Sequence, residues 1–182
     1  KNPRRYVSHV TQSGLGLPDR DYYFKEGERE EAISQKYRVH LAKMLQLAGF
    51  AADEATAQSK ATAIYDLERA LAQGHWTRVE RRDRDKRYNP VTRETLEARQ
   101  GGFDWKEFFV QAKVAGQTDF IVGEPSYFDH FEKVFSETPV ETWDHYLKWI
   151  VVNELASSMH KALDEQNFDF YGRTLAGTPE QK

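Results

Sequence analysis

Apolar residues recur at helical spacing through the first part of this chain. Between residues 26 and 48 they stand at i, i+4, i+8, i+11, i+12 and i+15, counted from Ile33. A second run, between residues 53 and 73, has its own apolar face, made of Ala57, Ala61, Ile64, Leu67 and Leu71. Gly49 and Gly74 follow the two runs, as helix-ending glycines do. Since only a few residues separate the runs, we predict an antiparallel helix hairpin.

The middle of the chain predicts two shorter helices. A charged stretch over residues 75–90 interrupts the periodic pattern, and a short helix is expected from Thr92 to just before Gly101. Asp104, with Glu107 three residues later, has the spacing of an N-cap and its return partner, which predicts the start of the next helix.

Extended structure is expected to be minor. Residues 4–12 are rich in β-forming side chains, and residues 120–122 are the best candidate for an internal strand. Residues 124–126 then start a helix whose buried side comprises Tyr127, Phe128, Phe131, Val134 and Phe135. We therefore expect an all-α fold of mainly antiparallel helices, with at most one or two short extended segments, in a single domain spanning residues 1–182.

The strongest helix start is Thr138-Pro139-Val140-Glu141, which offers an N-cap hydroxyl, a proline at the first helical position and a glutamate to close a capping box. We expect this helix to run as far as Leu163. Its apolar stripe comprises Trp143, Leu147, Ile150, Val151, Leu155 and Met159. We interpret the stripe as core; alternatively, part of it lines a peptide-binding surface that is exposed when a partner lobe is removed.

Composition excludes several classes of protein. Hydrophobic residues make up 39% and aromatic residues 13%, which is enough to build a core and is atypical of a disordered chain. The net charge of -3 gives no reason to expect a nucleic-acid partner. The chain has no cysteine, so disulfides and thiolate metal sites are excluded. No apolar run approaches the length of about 20 residues that a membrane-spanning helix needs.

One segment carries a family resemblance: Gly14-Leu15-Gly16-Leu17-Pro18-Asp19-Arg20-Asp21-Tyr22-Tyr23-Phe24. It resembles a signature segment of the neprilysin-like zinc metalloendopeptidases. Four further segments resemble the same family in the family's own order, namely residues 82–92, 124–128, 141–149 and 170–178. The sequence of these segments is most similar to bacterial members of the oligoendopeptidase O type. Animal members have a cysteine just after the Asp-Tyr-Tyr stretch, where this chain has Lys25.

The resemblance implies the N-terminal helical lobe of a much longer enzyme. In the family, this lobe and a thermolysin-like catalytic lobe enclose a chamber that admits oligopeptides. Zinc is held there by a His-Glu-x-x-His helix and a downstream glutamate. This chain has no histidine followed by glutamate, so the resemblance supplies no catalytic or metal-ligating residue here and no cofactor. It implies zinc, a catalytic lobe and oligopeptide substrates for the parent enzyme, and an exported location, periplasmic or at the cell surface.

The resemblance also marks structural residues in the signature segment. These are Gly14, Gly16, Pro18, Asp19, Arg20, Asp21, Tyr22 and Tyr23. Asp19 and Asp21 could form a carboxylate pair for acid–base chemistry, but residues two apart in a turn seldom converge, and Arg20 between them favours two ionised groups. We favour a structural role, in which Arg20 holds backbone or carboxylate oxygens and the aromatic residues anchor the turn.

The charged loop contains a second set of candidate residues. Its cations are mixed with acids, which favours a solvated loop with internal ion pairs over a phosphate-binding patch. The resemblance adds a further hypothesis, contact with the catalytic lobe or with the peptide substrate. The candidate contact residues are Arg81, Arg82, Tyr88 and Asn89.

Histidine spacing gives no support for a metal site. No two of the six histidines stand three to five residues apart, so no helix face offers an imidazole pair. His130 and Glu132 have the His-x-Glu spacing of zinc deaminases, but the cysteines of that motif are missing.

Two rival functions remain open from the sequence. One is a stand-alone helical interaction module, and the other is a self-sufficient enzyme that uses carboxylates. A further helix start at Thr178-Pro179-Glu180 lies two residues before the final Lys182, which we interpret as a sign that the chain is a fragment.

Overall fold

The computed structural model describes residues 6–180 of the chain. Helices dominate this part and confirm the predicted fold class. The strands are β1 (Ser8–Val10), β2 (Asn89–Thr92) and β3 (Asp119–Val122). The α-helices are α1 (Asp21–Phe24), α2 (Glu28–Leu47), α3 (Glu54–Gly74), α4 (Arg93–Glu97), α5 (Trp105–Gln111), α6 (Pro125–Glu137), α7 (Val140–Leu155) and α8 (Lys161–Asn167). Short 3-10 turns cover Glu80–Arg82 and Ala156–Ser158, and a π-helical segment covers Phe168–Leu175.

The described chain divides into two compact units. The sheet unit comprises residues 6–13 and 73–137, and the helical unit comprises residues 14–72 and 138–180. Each unit contains residues from two separate stretches of sequence, so neither is a contiguous domain. The expectation of a single domain over residues 1–182 stays a prediction.

Helices α2 and α3 lie within two residues of their predicted bounds: α2 begins two residues later and ends one residue earlier, and α3 is shifted by one residue. Gly49 has a φ of +76°, its amide bonds to the Gln46 carbonyl at 2.9 Å, and the Phe50 amide bonds to the Leu45 carbonyl at 2.8 Å. This pair of bonds is a Schellman motif, which requires the left-handed conformation that glycine adopts easily. At the start of α3, the Asp53 carboxylate accepts the Thr56 amide at 2.7 Å.

The sheet has the order β1-β3-β2, with β1 parallel and β2 antiparallel to the central β3. The predicted extended segments correspond to β1 and β3; residues 4 and 5 of the first prediction lie outside the described residues. Strand β2 is an element that the sequence reading missed, and the limit of two extended segments was wrong. Pro90 lies within it, which an edge strand tolerates because one side of its backbone needs no partner.

An aromatic core fills the sheet unit. The side chains of Trp105 and Phe109 from α5 pack with Phe120 of β3, whose ring stacks on Phe109 at 4.6 Å between centroids. The Asp104 carboxylate accepts the Glu107 amide at 2.9 Å, so the predicted N-cap fixes the start of α5. Tyr127 and Phe128, predicted on the inner side of α6, are buried in the same cluster.

Helix α7 corrects two predictions about its ends. It begins at Val140, one residue later than predicted, and Pro139 rather than Thr138 occupies the cap position with no side-chain cap bond. It ends at Leu155 rather than Leu163, because a 3-10 turn and an extended Met159 separate it from α8. Ser157 and Ser158 fall in this break, where serine competes with helical hydrogen bonding.

The predicted inner face of α7 was also wrong. The buried residues of this helix are Tyr146, Trp149 and Val152. The stripe predicted to be core contains Leu147, Val151 and Leu155, which are more than half exposed. Periodicity could not separate the two faces because both are apolar. The inner face is distinguished by two hydrogen bonds described below, from the Tyr146 hydroxyl to the Gly14 carbonyl and from the Trp149 indole to Glu68.

Candidate functional site

The signature segment is held in place by tyrosine hydroxyls on its backbone. The Tyr146 hydroxyl donates to the Gly14 carbonyl at 2.7 Å, and the Tyr171 hydroxyl donates to the Gly16 carbonyl at 2.9 Å. Gly14 has a φ of +92°, in the left-handed region that favours glycine. A β-carbon on Gly16 would run into the Tyr37 hydroxyl, so the close approach requires glycine at this position.

A buried carboxylate, Glu68, lies behind this segment. Glu68 is fully buried and accepts hydrogen bonds from the Tyr23 hydroxyl at 2.8 Å, from the Tyr37 hydroxyl at 2.8 Å and from the Trp149 indole at 3.2 Å. The Tyr23 hydroxyl in turn accepts the Leu17 amide at 3.2 Å. The network joins the signature segment to three helices, α2, α3 and α7.

Burial dominates the electrostatics of this network. It raises the pKa of Glu68 to about 7, although the hydrogen bonds donated to the carboxylate, including one from the Gly16 backbone, act in the opposite direction. Burial, followed by the nearby Glu68 charge, also raises the pKa of the Tyr23 and Tyr37 hydroxyls well above the usual value. The tyrosines therefore remain hydrogen-bond donors at neutral pH, and no group here is set up as a nucleophile.

The remaining signature residues make local contacts. The Asp19 carboxylate accepts the Asp21 amide at 2.8 Å, and the Arg20 Nε donates to the Ala72 carbonyl at 3.4 Å. Asp21 pairs with Lys25 at 3.3 Å on the surface. Pro18 is exposed and Tyr22 is half-buried. Since Asp19 and Asp21 are each engaged locally, the arrangement does not form the converging carboxylate pair that acid–base chemistry needs.

A buried histidine extends the same aromatic core. The ring of His40 stacks on Phe170 at 4.8 Å and meets Trp149 edge-on at 5.5 Å between centroids. Gln166 lies within hydrogen-bond distance of its Nδ1, at 3.2 Å. Burial lowers the pKa of His40 to about 3. His40 is therefore neutral at physiological pH.

A π-helical segment closes the helical unit. Its Phe170 is buried, whereas Arg173 pairs with Asp169 at 3.1 Å on the surface. An open groove of about 660 Å³ runs beside it, with Leu47, Asp169 and Arg173 among its lining residues. Both acidic and basic side chains line the groove, so its charge is mixed.

In the sheet unit, a buried carboxylate organises the charged loop. Glu124 is fully buried and its Oε1 accepts the Nε atoms of Arg81 at 3.2 Å and Arg87 at 2.9 Å, while its Oε2 accepts the Gln12 amide at 3.0 Å. Thr77 and Glu80 form a reciprocal capping box at the 3-10 turn of the loop. The loop is therefore anchored at both ends of its basic run.

The four candidate contact residues fall into two groups. Arg81 is engaged with Glu124, and the Asn89 amide donates to the carbonyls of Lys86 at 2.7 Å and Val122 at 3.0 Å. Arg82 is exposed, and Tyr88 is 51% exposed. Arg81 also has 40% of its side chain exposed, so three of the four candidates reach the surface, and Arg81 does so while bonded to Glu124.

Sequence reasoning missed the two buried carboxylates, although each left a signal. Glu68 stands within the apolar face of α3, four residues after Ile64 and three before Leu71, where a solvated glutamate would be out of pattern. Glu124 follows directly after the buried strand β3 and a glycine. A charged residue in an apolar pattern predicts a satisfied buried group, because burial without partners is costly.

Metal binding has no support in the described part of the chain. Among residues 6–180, no three His, Asp or Glu side chains lie close enough to hold a metal ion. In the same residues, no helix has both the length and the apolar character that crossing a bilayer demands. The resembling segments meet instead in two structural junctions, one around Glu68 and the other around Glu124.

Comparison with known proteins gives a consistent family match. The family model described as peptidase family M13 matches residues 1–182. Endothelin-converting enzyme 1 of Cavia porcellus is 28% identical over 192 residues, covering 100% of this chain and 25% of the relative. The chain therefore spans about a quarter of the length of this relative.

Solved structures share the fold. The zinc metalloprotease Zmp1 of Mycobacterium tuberculosis, in its open state, is similar with a TM-score of 0.90 and 34% identity, covering 98% of this chain and 27% of that chain. PepO from Lactobacillus rhamnosis is similar with a TM-score of 0.70 and 17% identity, covering 96% of this chain and 27% of that chain. The second likeness is one of fold alone.

Proposed function

This chain belongs to peptidase family M13, as the helical N-terminal lobe of that family, and from this premise we propose that it is the non-catalytic lobe of a zinc metalloendopeptidase. The observation that carries the proposal is the match of the family model over residues 1–182, together with a fold shared with a zinc metalloprotease. Within a longer polypeptide, the lobe would face a catalytic lobe that hydrolyses oligopeptides.

The described residues of this chain do not form a binding site for the zinc ion of such an enzyme. The described residues gather no set of three His, Asp or Glu side chains, and the sequence contains no His-Glu-x-x-His motif. A catalytic zinc site takes three protein ligands and keeps one position open for water. The zinc of the parent enzyme would therefore be held outside this chain, and the lobe takes no chemical step.

The proposed task of the lobe is steric. A rigid wall beside the catalytic centre would admit extended peptides, exclude folded proteins and shed water when the chamber closes. The two buried-carboxylate junctions support this role, because satisfied buried networks give a surface a single, stiff conformation.

The experiment that tests this role compares three substrates with the complete polypeptide. One is a short unstructured peptide, the second is the same sequence within an exposed loop of a stable folded protein, and the third is that protein after unfolding. We expect cleavage of the first and third and none of the second. Equal cleavage of the folded protein would contradict a size-limiting wall.

The alternative is a stand-alone helical interaction module. The exposed apolar residues of α7 favour binding of a partner protein, and a stand-alone interaction module would need such a surface. The DNA that follows the codon for Lys182 separates the two functions. An in-frame His-Glu-x-x-His sequence supports the peptidase, and an immediate stop codon supports the module.

We also propose that Arg82 and Tyr88 contact the catalytic lobe or the peptide. Both are exposed on a loop that is anchored through Arg81 and Arg87. In the complete enzyme, Arg82→Glu should raise the KM for an acidic peptide by about threefold or more. Lys106→Glu, an equal charge change at an exposed position of the same unit, should leave the KM unchanged. An unchanged KM in both variants would contradict the contact.

Two further proposals follow from the resemblance. The chain would act as one domain over residues 1–182 of the parent, and the parent would be exported, to the periplasm or the cell surface. Fractionation of cells that express the complete gene tests the location, and recovery of the protein only in the cytosol would contradict it.

A further inference from the structure

Helix α7 has apolar residues on two opposite sides, and within residues 6–180 only one of these sides is buried. The buried side carries Trp149, Val152 and Tyr146, which pack in the helical unit. The opposite side carries an outward stripe, which we define as Val140, Leu147, Val151 and Leu155. Their exposed fractions are 84%, 58%, 56% and 51%.

The outward stripe follows one side of the helix and is interrupted by a charged residue, Asp144. Its members are spaced seven, four and four residues apart, so they lie within a narrow sector at the helical period. Asp144 lies within the same sector, between Val140 and Leu147, and pairs with Lys148 at the edge of the stripe at 2.6 Å. Singly scattered exposed apolar residues are ordinary, whereas an aligned set indicates an interaction surface.

The size of the stripe argues against an independent partner. From Val140 to Leu155 the helix rises about 22 Å and is about 10 Å wide, so the stripe covers about 220 Å². A stable interface between separate proteins buries about 800 Å² on each partner. A second copy of this chain, held through this stripe alone, would therefore not be stable.

A covalently attached partner does not need such a large surface. A segment of the same polypeptide is present at an effective concentration in the millimolar range, so a small apolar contact is enough to hold it. This chain covers 25% of endothelin-converting enzyme 1 of Cavia porcellus and 27% of the Zmp1 chain. About three quarters of each of these two chains therefore lies outside the matched part.

We propose that the outward stripe of α7 is an internal packing surface, covered by an apolar segment from the part of the M13 polypeptide that this chain does not include. The proposal rests on the proposed function, because it needs the longer polypeptide. It gives α7 a position at the boundary between this lobe and the remainder of the enzyme.

Single cysteines test the proposal in the complete M13 polypeptide. The chain has no cysteine of its own, so Val151→Cys places one thiol in the stripe. Val152→Cys is the matched buried control on the same helix, since Val152 is 2% exposed. Lys161→Cys is the exposed control in the same unit, with 86% of its side chain exposed. The readout is the rate of maleimide labelling, followed by mass spectrometry of the peptide that contains each position.

We expect the thiol at position 151 to react about tenfold or more slowly than the thiol at position 161, and at a rate close to that at position 152. Leu147→Cys should behave as Val151→Cys does. Labelling at position 151 as fast as at position 161 would overturn the proposal. Protection that appears only at high protein concentration would overturn it in favour of a second copy. Peptide hydrolysis by the same preparations shows separately whether the proposed function holds.

Discussion

At the scale of single residues, glycines and a buried acid hold the signature segment. Gly16 lies against the Tyr37 hydroxyl, which is itself bonded to Glu68 in a fully buried position. Neither partner can move away without breaking a buried hydrogen bond. The signature is therefore explained by packing against tyrosines rather than by chemistry.

Gly16→Ala should lower the free energy of unfolding by about 2 kcal/mol or more, because the new methyl group displaces the Tyr37 hydroxyl. Gly116→Ala is the matched control, since nothing lies within 4 Å of its β-carbon position, and it should change stability by less than about 0.5 kcal/mol. Urea unfolding followed by tryptophan fluorescence measures both. Equal effects of the two substitutions would contradict this explanation of the signature.

Glu68 also predicts a pH dependence. Its pKa is raised from 4.5 to about 7 in the folded state, so the unfolded chain loses its proton first as the pH rises. The contribution of this group is therefore fully present below pH 4.5 and is lost between about pH 4.5 and 7. That difference in pKa corresponds to about 3 kcal/mol.

Glu68→Gln removes the titration while keeping most of the shape. The free energy of unfolding of the original chain minus that of the variant should fall by up to about 3 kcal/mol between pH 4.5 and 7 and then level off. Urea titrations at half-unit intervals of pH give this difference. A difference that is constant with pH would show that Glu68 does not titrate in this range.

His40 predicts the opposite slope. Its pKa is lowered to about 3, so acid favours the unfolded chain, and stability contributed by the neutral ring is lost as the pH falls from about 6.5 towards 3. His40→Gln should reduce the loss of stability on acidification, measured by the same titrations between pH 6.5 and 4. An equally steep loss in the variant would place the acid sensitivity elsewhere.

At the scale of elements, the buried Glu124 connects the charged loop to the start of α6. Removing one partner of a buried ion pair leaves the other charge without compensation, which typically costs about 3–5 kcal/mol; the partial exposure of Arg81 and Arg87 reduces this cost. Glu124→Gln should therefore loosen the loop around Arg81 and Arg87.

Limited trypsin digestion measures that loosening, because the loop is rich in arginine. We expect Glu124→Gln to be cut within residues 78–87 about tenfold faster than the original chain. Asp85→Asn, in the same loop, removes an exposed charge and should leave the rate unchanged. A rate that is equal in all three proteins would contradict anchoring by Glu124.

The elements also show how far sequence reasoning reaches. Helices α2 and α3 follow from apolar periodicity and local caps, since Gly49 and Asp53 act through neighbouring residues alone. Strand β2 and the inner face of α7 depend on contacts with distant residues. Strand β2 was not predicted because it contains Pro90. The two apolar faces of α7 are distinguished by hydrogen bonds from the inner face to Gly14 and Glu68, which lie far away in sequence.

The candidate site divides in the same way. The sequence identified the signature segment and the charged loop, but it could not show that Arg81 is bonded to Glu124 or that Tyr171 reaches Gly16. Those pairs are separated by 43 and 155 positions. Exposure then separates Asn89 from Arg81, Arg82 and Tyr88, which a sequence alone cannot do.

At the scale of the whole molecule, the chain has the fold of a family of zinc peptidases and lacks, in its described residues, a metal-ligand cluster. Its polar networks stabilise rather than react. We propose that the outward stripe of α7 and the exposed part of the charged loop are the surfaces on which the lobe would meet the remainder of the enzyme.

Zinc analysis of the purified 182-residue chain tests the central claim most directly. The metal content is measured after dialysis against zinc at a micromolar concentration and gel filtration, beside the complete M13 polypeptide treated in the same way. We predict one tightly bound zinc ion for each complete polypeptide and far less than one for each 182-residue chain. One zinc ion held by the 182-residue chain itself would contradict a non-catalytic lobe.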